Sequence, residues 1–171
     1  MLKAVLFDLD DTLYDHRHSS RSALAVLQKK LPAVLGMVSL DELERVNLSI
    51  LNEIHIEVLS GTIDVESARR KRFSQLLLQY DFTLTEEQLA EVSSVYREAY
   101  QQSWRASIGA VELLTALREK GLKIGIISNN LVEEQMEKLR VCNLLDHIDS
   151  LTISEEAGIA KPDPQIFRIA L

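Results

Sequence analysis

Three short polar clusters carry the side chains able to do chemistry: Asp8-Leu9-Asp10-Asp11-Thr12, Ser128-Asn129 and Lys161. Asp8 and Asp10 stand two positions apart just past an apolar run, where a backbone bend can aim both side chains into one pocket. Two carboxylates a few ångströms apart repel by about 4 kcal/mol at an effective dielectric of 20, so they need a cation, a shared proton, or both. With no His or Cys in these clusters, a hard divalent ion that prefers oxygen, Mg²⁺, fits them. Ser128 and Asn129, with a helix N-terminus behind them, offer hydroxyl and backbone N–H donors to an anion. Lys161 adds a mobile positive charge. A carboxylate nucleophile, a second carboxylate, an anion cradle, a lysine and Mg²⁺ together describe phosphoryl transfer through an aspartyl-phosphate.

These clusters meet only if the fold brings them together. Lys3 to Phe7 is a short apolar run, predicted as a strand buried on both faces of a parallel sheet. From Arg17 to about Trp104 the period is helical. Leu24, Leu27 and Leu31 share one face up to Pro32. Ser39 with Glu42 reads as a capping box before the stripe Leu43, Val46, Ile50, Ile54 and Val58. A third helix is predicted from Asp64 to Tyr80, with Val65, Phe73, Leu76 and Tyr80 inward. Thr85 with Gln88 caps a fourth, lined by Leu89, Val92, Tyr96 and Ala99. After Gly109 comes a helix through Val111, Leu114 and Leu117, then a strand from Leu122 to Ile127 ending at Ser128. A helix with Val132, Met136 and Leu139 inward follows, then a weaker strand from His147 to Ile153, and a helix capped by Asp163 with Pro164 in its first turn. Strands alternating with helices predict an α/β fold, a Rossmann-like parallel sheet whose ligands bind beyond the carboxyl ends of its strands. The expected division is a core of residues 1–14 and 105–171 interrupted by a helical bundle, 15–104.

Composition narrows the function further. The formal charge is −7, from 19 Lys and Arg against 26 Asp and Glu, which argues against holding nucleic acid or an anionic membrane by general attraction. No apolar run approaches the roughly 18 residues of a membrane span, and the N-terminus carries no signal-peptide pattern. One cysteine, Cys142, forms no internal disulfide, so a reduced, cytoplasmic protein is expected, with Cys142 in the core. His16 and His18 read as loop residues with no closed metal set. Arg69-Arg70-Lys71-Arg72 reads as a solvated helix face, and Phe73 and Trp104 as packing residues.

The pattern Asp8-x-Asp10-x-Thr12, the Ser128 after an apolar strand, and the Lys161 before Pro162 resemble the three leading motifs of the haloacid dehalogenase (HAD) superfamily of phosphohydrolases. The insert position resembles that of the family's helical cap. The segment Ile153 to Pro162, and Gly61-Thr62-Ile63 with Arg72-Phe73, look closest to the branch of pyrimidine 5′-nucleotidases. The resemblance implies that Asp8 attacks phosphorus, and that Asp10 protonates the leaving alcohol and then deprotonates the hydrolytic water. It implies Mg²⁺ on Asp8 and the Asp10 backbone carbonyl, with Ser128, Asn129, Lys161 and Thr12 holding phosphate. The expected substrate is a small phosphorylated metabolite such as a nucleoside monophosphate, turned over by a monomer or homodimer.

Family members continue past Lys161 through a further strand ending in a Gly-Asp acidic motif that completes the Mg²⁺ site. An incomplete chain with an exposed first strand, weak Mg²⁺ affinity and little turnover is therefore expected. Three alternatives stand beside phosphatase. A 2-haloacid dehalogenase would give a carboxylic acid at position 10 no purpose, because halide leaves without a proton or a metal. A phospho-receiver domain would lack the roughly 90-residue insert. A catalytically inactive interaction protein would cover its open sheet edge in a dimer.

Overall fold

The computed structural model describes residues 2–171. Its elements in chain order are β1 (Ala4–Phe7), α1 (His16–Lys30), α2 (Pro32–Leu35), α3 (Leu40–Leu59), α4 (Val65–Leu78), α5 (Glu86–Gln102), α6 (Ala110–Glu119), β2 (Lys123–Ser128), α7 (Val132–Val141), β3 (Ser150–Ile153), α8 (Ser154–Ala157) and α9 (Pro164–Ala170). The chain divides into two compact units, residues 1–17 with 104–171, and residues 18–103.

In the first unit the three strands pair in parallel in the order β1-β2-β3, with Val5 opposite Ile124 and Ser128 opposite Ile153. All three carboxyl ends therefore lie along one rim, and β1 is an edge strand among the described residues. The central strand is the apolar floor: Ile124, Ile126 and Ile127 are buried, together with Leu114 of α6, Leu139 of α7 and Ile166 of α9. Gly125 pairs with Leu6 of β1 on one side and Ser150 of β3 on the other. A Cβ there would lie 2.6 Å from Leu6 Cδ2 and 2.7 Å from Ser150 Oγ. Gly125→Val is accordingly expected to lower stability by about 1–3 kcal/mol through overpacking, read as a drop in the urea midpoint. An unchanged midpoint would contradict the packing described.

The third strand is shorter than its sequence suggests. Leu145–His147 forms a turn of 3₁₀ helix, and Asp149 spends its carboxylate on the Ile124 N–H (2.9 Å) and the Lys123 ammonium (2.8 Å) instead of extending the strand. Cys142 is buried, and that burial, opposed by the Lys138 charge, pushes its thiol up to about 11.

The helical unit is held by local signals first. Thr85 and Gln88 form a reciprocal capping box at the start of α5. On α3 only half of the expected box exists. Ser39 accepts from the Glu42 N–H, while the Glu42 side chain turns to Arg45. Asp64 caps α4 through the Ser67 N–H. Leu43, Ile50 and Ile54 of α3 are buried as patterned, but Val46 and Val58 are only partly so, and Asn47 takes a core position beside Ser20 and Tyr96. On α4 the buried residues are Ala68, Phe73, Leu76 and Leu77; Val65 and Tyr80 stay half-exposed. Phe73 packs on Tyr96 with centroids 4.9 Å apart, and Arg72 lies over both rings. Arg70 pairs with Glu66 and Lys71 with Glu57, so this basic run is spent on neighbouring acids. His16 and His18 belong to the first turn of α1, where a loop was expected.

Candidate active site

Past β1 the chain turns tightly about one atom. The Leu9 carbonyl accepts from the N–H groups of Thr12, Leu13 and Tyr14 at 3.2, 3.0 and 2.9 Å. Leu9, Leu13 and Tyr14 are buried, which anchors this turn in the core. Asp11 adopts a left-handed conformation (φ 57°) that an aspartate tolerates, and its carboxylate accepts from the Arg17 N–H at 2.9 Å. With Leu9 turned inward, the alternation of an extended chain sends Asp8 and Asp10 the other way.

Asp8 lies at the rim, about half exposed, with Oδ1 2.6 Å from the Lys161 ammonium and 2.8 Å from the Leu9 N–H. Its Oδ2 has no partner among the described residues. Lys161 also donates to the Ile127 carbonyl at 3.0 Å. The Asn129 side chain is engaged at both ends by the Lys161 peptide: Nδ2 donates to its carbonyl (2.9 Å) and Oδ1 accepts from its N–H (2.7 Å). A primary amide can bridge the N–H and C=O of one residue in this way, so Asn129 fixes the lysine through its side chain instead of reaching for an anion with it.

Asp10 is gripped from below. Lys138 Nζ is 2.6 Å from Oδ1, and Gln135 Nε2 is 2.8 Å from Oδ2. The Lys138 side chain is 1% exposed, lies 3.4 Å from Glu134, and rests over the Tyr14 ring at 4.7 Å. Gln135 Nε2 is also 2.6 Å from Ser128 Oγ. Burial alone would raise the Asp10 pKa. The Lys138 charge and hydrogen bond, the Gln135 amide and the more distant His16 outweigh it, and hold Asp10 below the usual carboxylate range.

Asp8, Lys161 and Asn129 thus form one network across the strand ends, and Asp10 and Ser128, joined through Gln135, form a second beside it. Thr12 is exposed and its hydroxyl makes no hydrogen bond among the described residues. Two features depart from the sequence reading. The first N–H of α7, on Val132, is taken by the Glu155 carboxylate at 2.8 Å, so it is not open to an anion. The buried face of α7 is Glu134, Gln135, Lys138 and Leu139 instead of Val132, Met136 and Leu139. Gln135 and Lys138, the two groups that grip Asp10, were therefore missed. The one available signal was their spacing of three on a helix directly after Ser128.

A profile for haloacid dehalogenase-like hydrolases matches residues 2–171. The chain belongs to this family. Among HAD relatives, the glyceraldehyde 3-phosphate phosphatase of Methanopyrus kandleri is 28% identical over 167 residues, which is 98% of this chain and 68% of that protein. The pyrimidine 5′-nucleotidase YjjG of Escherichia coli is 49% identical over 63 residues, 37% of this chain and 28% of that one. Among solved HAD structures, the magnesium-bound HAD-hydrolase YfnB of Bacillus subtilis superposes with a TM-score of 0.74 at 22% identity, over 98% of this chain and 70% of that one. The defluorinating L-2-haloacid dehalogenase Rha0230 gives 0.76 at 21% identity, over 99% and 67%. At such identities these two structures establish the fold alone.

The donors present suit a hard cation. The Asp8 carboxylate stands open at the rim, and the Asp10 backbone carbonyl accepts no hydrogen bond among the described residues. Both offer oxygen, as Mg²⁺ requires. No cluster of three or more His, Cys, Asp or Glu side chains suited to a metal occurs among the described residues. No helix among them is long and apolar enough to cross a membrane.

Proposed function

We propose that this HAD-family chain is a Mg²⁺-dependent phosphomonoesterase, acting through an aspartyl-phosphate on Asp8 toward a small phosphorylated metabolite such as a nucleoside monophosphate. The observation that carries this reading is the unequal treatment of the two Asp8 oxygens. Oδ1 is held by Lys161 and the Leu9 N–H, which leaves Oδ2 as the uncommitted nucleophile. Mg²⁺, held by Asp8 and the Asp10 carbonyl, would draw charge from the phosphoryl oxygens.

In the first step Asp8 Oδ2 forms a bond to phosphorus while the ester P–O bond breaks. The departing alkoxide takes a proton from Asp10, which must be protonated to give it. In the second step water attacks phosphorus, Asp10 accepts its proton, and the P–O bond to Asp8 breaks. Inorganic phosphate leaves and both carboxyl groups return to their starting states. Lys161 and the Ser128 hydroxyl bear the transferred group's charge in both steps. The depressed Asp10 pKa suits the second step directly, since the group stands ready as a base.

The names of the relatives favour this class, because glyceraldehyde 3-phosphate and pyrimidine nucleotides are both phosphate monoesters. A dehalogenase reading is weaker, because halide departs without a proton and the hold on Asp10 would serve less purpose there. A panel of nucleoside monophosphates, triose and sugar phosphates and 2-chloropropionate, assayed with and without Mg²⁺, separates them. The expected outcome is phosphate release only with Mg²⁺ and no chloride release. Chloride release without phosphate release would overturn the proposal.

A further inference from the structure

Gln135 is a buried, uncharged side chain with one amide nitrogen against two acceptors, Ser128 Oγ at 2.6 Å and Asp10 Oδ2 at 2.8 Å. An amide nitrogen carries two hydrogens and accepts nothing, so it donates to both. The orientation of the amide follows from its neighbour. Turned over, its oxygen would face a carboxylate, one acceptor against another. Its own oxygen, Oε1, is buried with no partner among the described residues. An apolar residue would avoid that penalty, so what holds a glutamine here is the nitrogen.

The consequence falls on Ser128. Its oxygen already accepts from Gln135, the residue is 1% exposed, and its hydroxyl proton goes to no acceptor among the described residues. We propose that Gln135 is a positioning residue: its single amide sets the Ser128 hydroxyl as a donor toward an incoming tetrahedral oxyanion and, by its other hydrogen, ties that donor to Asp10. The anion grip and the proton-transfer group are then fixed by the same side chain. The identity of the anion as phosphate rests on the phosphomonoesterase reading.

The test is a double-mutant cycle on the whole chain, with inorganic phosphate as the probe in Mg²⁺ buffer and calorimetry as the readout. Gln135→Met, which keeps the length and removes the donor, is expected to weaken phosphate binding about tenfold. Ser128→Ala is expected to do at least as much, and Gln135→Met in the Ser128→Ala background nothing further, because the effect passes through the serine. In parallel, the assigned side-chain amide protons of Gln135 are expected to lie outside the range of solvated glutamines by NMR, and to move in Ser128→Ala. If Gln135→Met does not fold, that movement decides alone. Additive losses, wild-type affinity in Gln135→Met, solvated amide shifts, or a wild-type chain that binds no phosphate would each overturn the proposal. Hydrolysis is read separately. A coupled cycle without ester hydrolysis would sink the phosphatase reading and leave Gln135 in its role, whereas hydrolysis with an additive cycle would do the reverse.

Discussion

Asp8→Asn is expected to lower phosphate release by a factor on the order of 10⁴ or more, the size of loss seen when a covalent nucleophile is removed. The substitution keeps the shape and leaves an oxygen for Lys161, but the amide has no charge and no lone pair able to displace an alkoxide. Stability should change little, because the Asp8 side chain is 46% exposed and its ion pair with Lys161 is open to solvent. Asp10→Asn is expected to fail differently. It retains the nucleophile, so the phosphoryl group still reaches Asp8, more slowly without a proton for the departing alkoxide, and then persists there for want of a base. The two variants together separate attack from hydrolysis, and equal loss of phosphoenzyme in both would contradict the assigned roles.

Lys138→Met should have the largest effect on the fold. Lys138 is nearly inaccessible and neutralises Asp10 at 2.6 Å with Glu134 at 3.4 Å. Removing the cation takes the close counter-charge from Asp10 and from Glu134, which costs about 3 kcal/mol, the lower end for a broken buried pair because Asp10 is partly exposed. Trp104 is the single tryptophan and lies edge-on to Tyr14 at 6.3 Å, under which Lys138 sits, so its fluorescence follows the urea unfolding of this unit. The expected result is a clear drop in midpoint for Lys138→Met and partial recovery when Asp10→Asn is added, because one of the stranded charges is then gone. A midpoint equal to that of the wild type would mean that the buried lysine does not balance these acids.

What the sequence discloses follows from the range of the interactions. The capping box at Thr85 and Gln88, the Asp163 cap with Pro164 in the first turn of α9, and the apolar run of the strand ending at Ser128 are set by residues within a few positions of each other. The placement of the aspartates, Ser128 and Lys161 on one rim was legible because the carboxyl ends of parallel strands gather there. Gln135 and Lys138 were not. Apolar periodicity assigns the buried face of α7 to Val132 and Met136, whereas that face is paid for by polar contacts to Asp10, 125 and 128 residues earlier in the chain. The same blindness hides Asn47, whose core position on α3 depends on Ser20 of another helix. The third strand was overdrawn because Asp149 looks like strand flank in sequence, yet its side chain is occupied by the start of β2.

Mg²⁺ affinity follows from the same inventory. One carboxylate and one carbonyl, with no third acid gathered beside them among the described residues, are expected to hold the ion with a Kd on the order of 10⁻³ M, measured by calorimetry without substrate.

The central claim is that Asp8 carries the phosphoryl group. Its most direct measurement is acid quench of the protein during turnover of a phosphate monoester with Mg²⁺, followed by peptide mass spectrometry. The expected result is a phosphoryl adduct on Asp8, absent from Asp8→Asn and accumulating in Asp10→Asn. Phosphate release with no adduct at Asp8, an adduct on another residue, or an adduct that survives Asp8→Asn would contradict it.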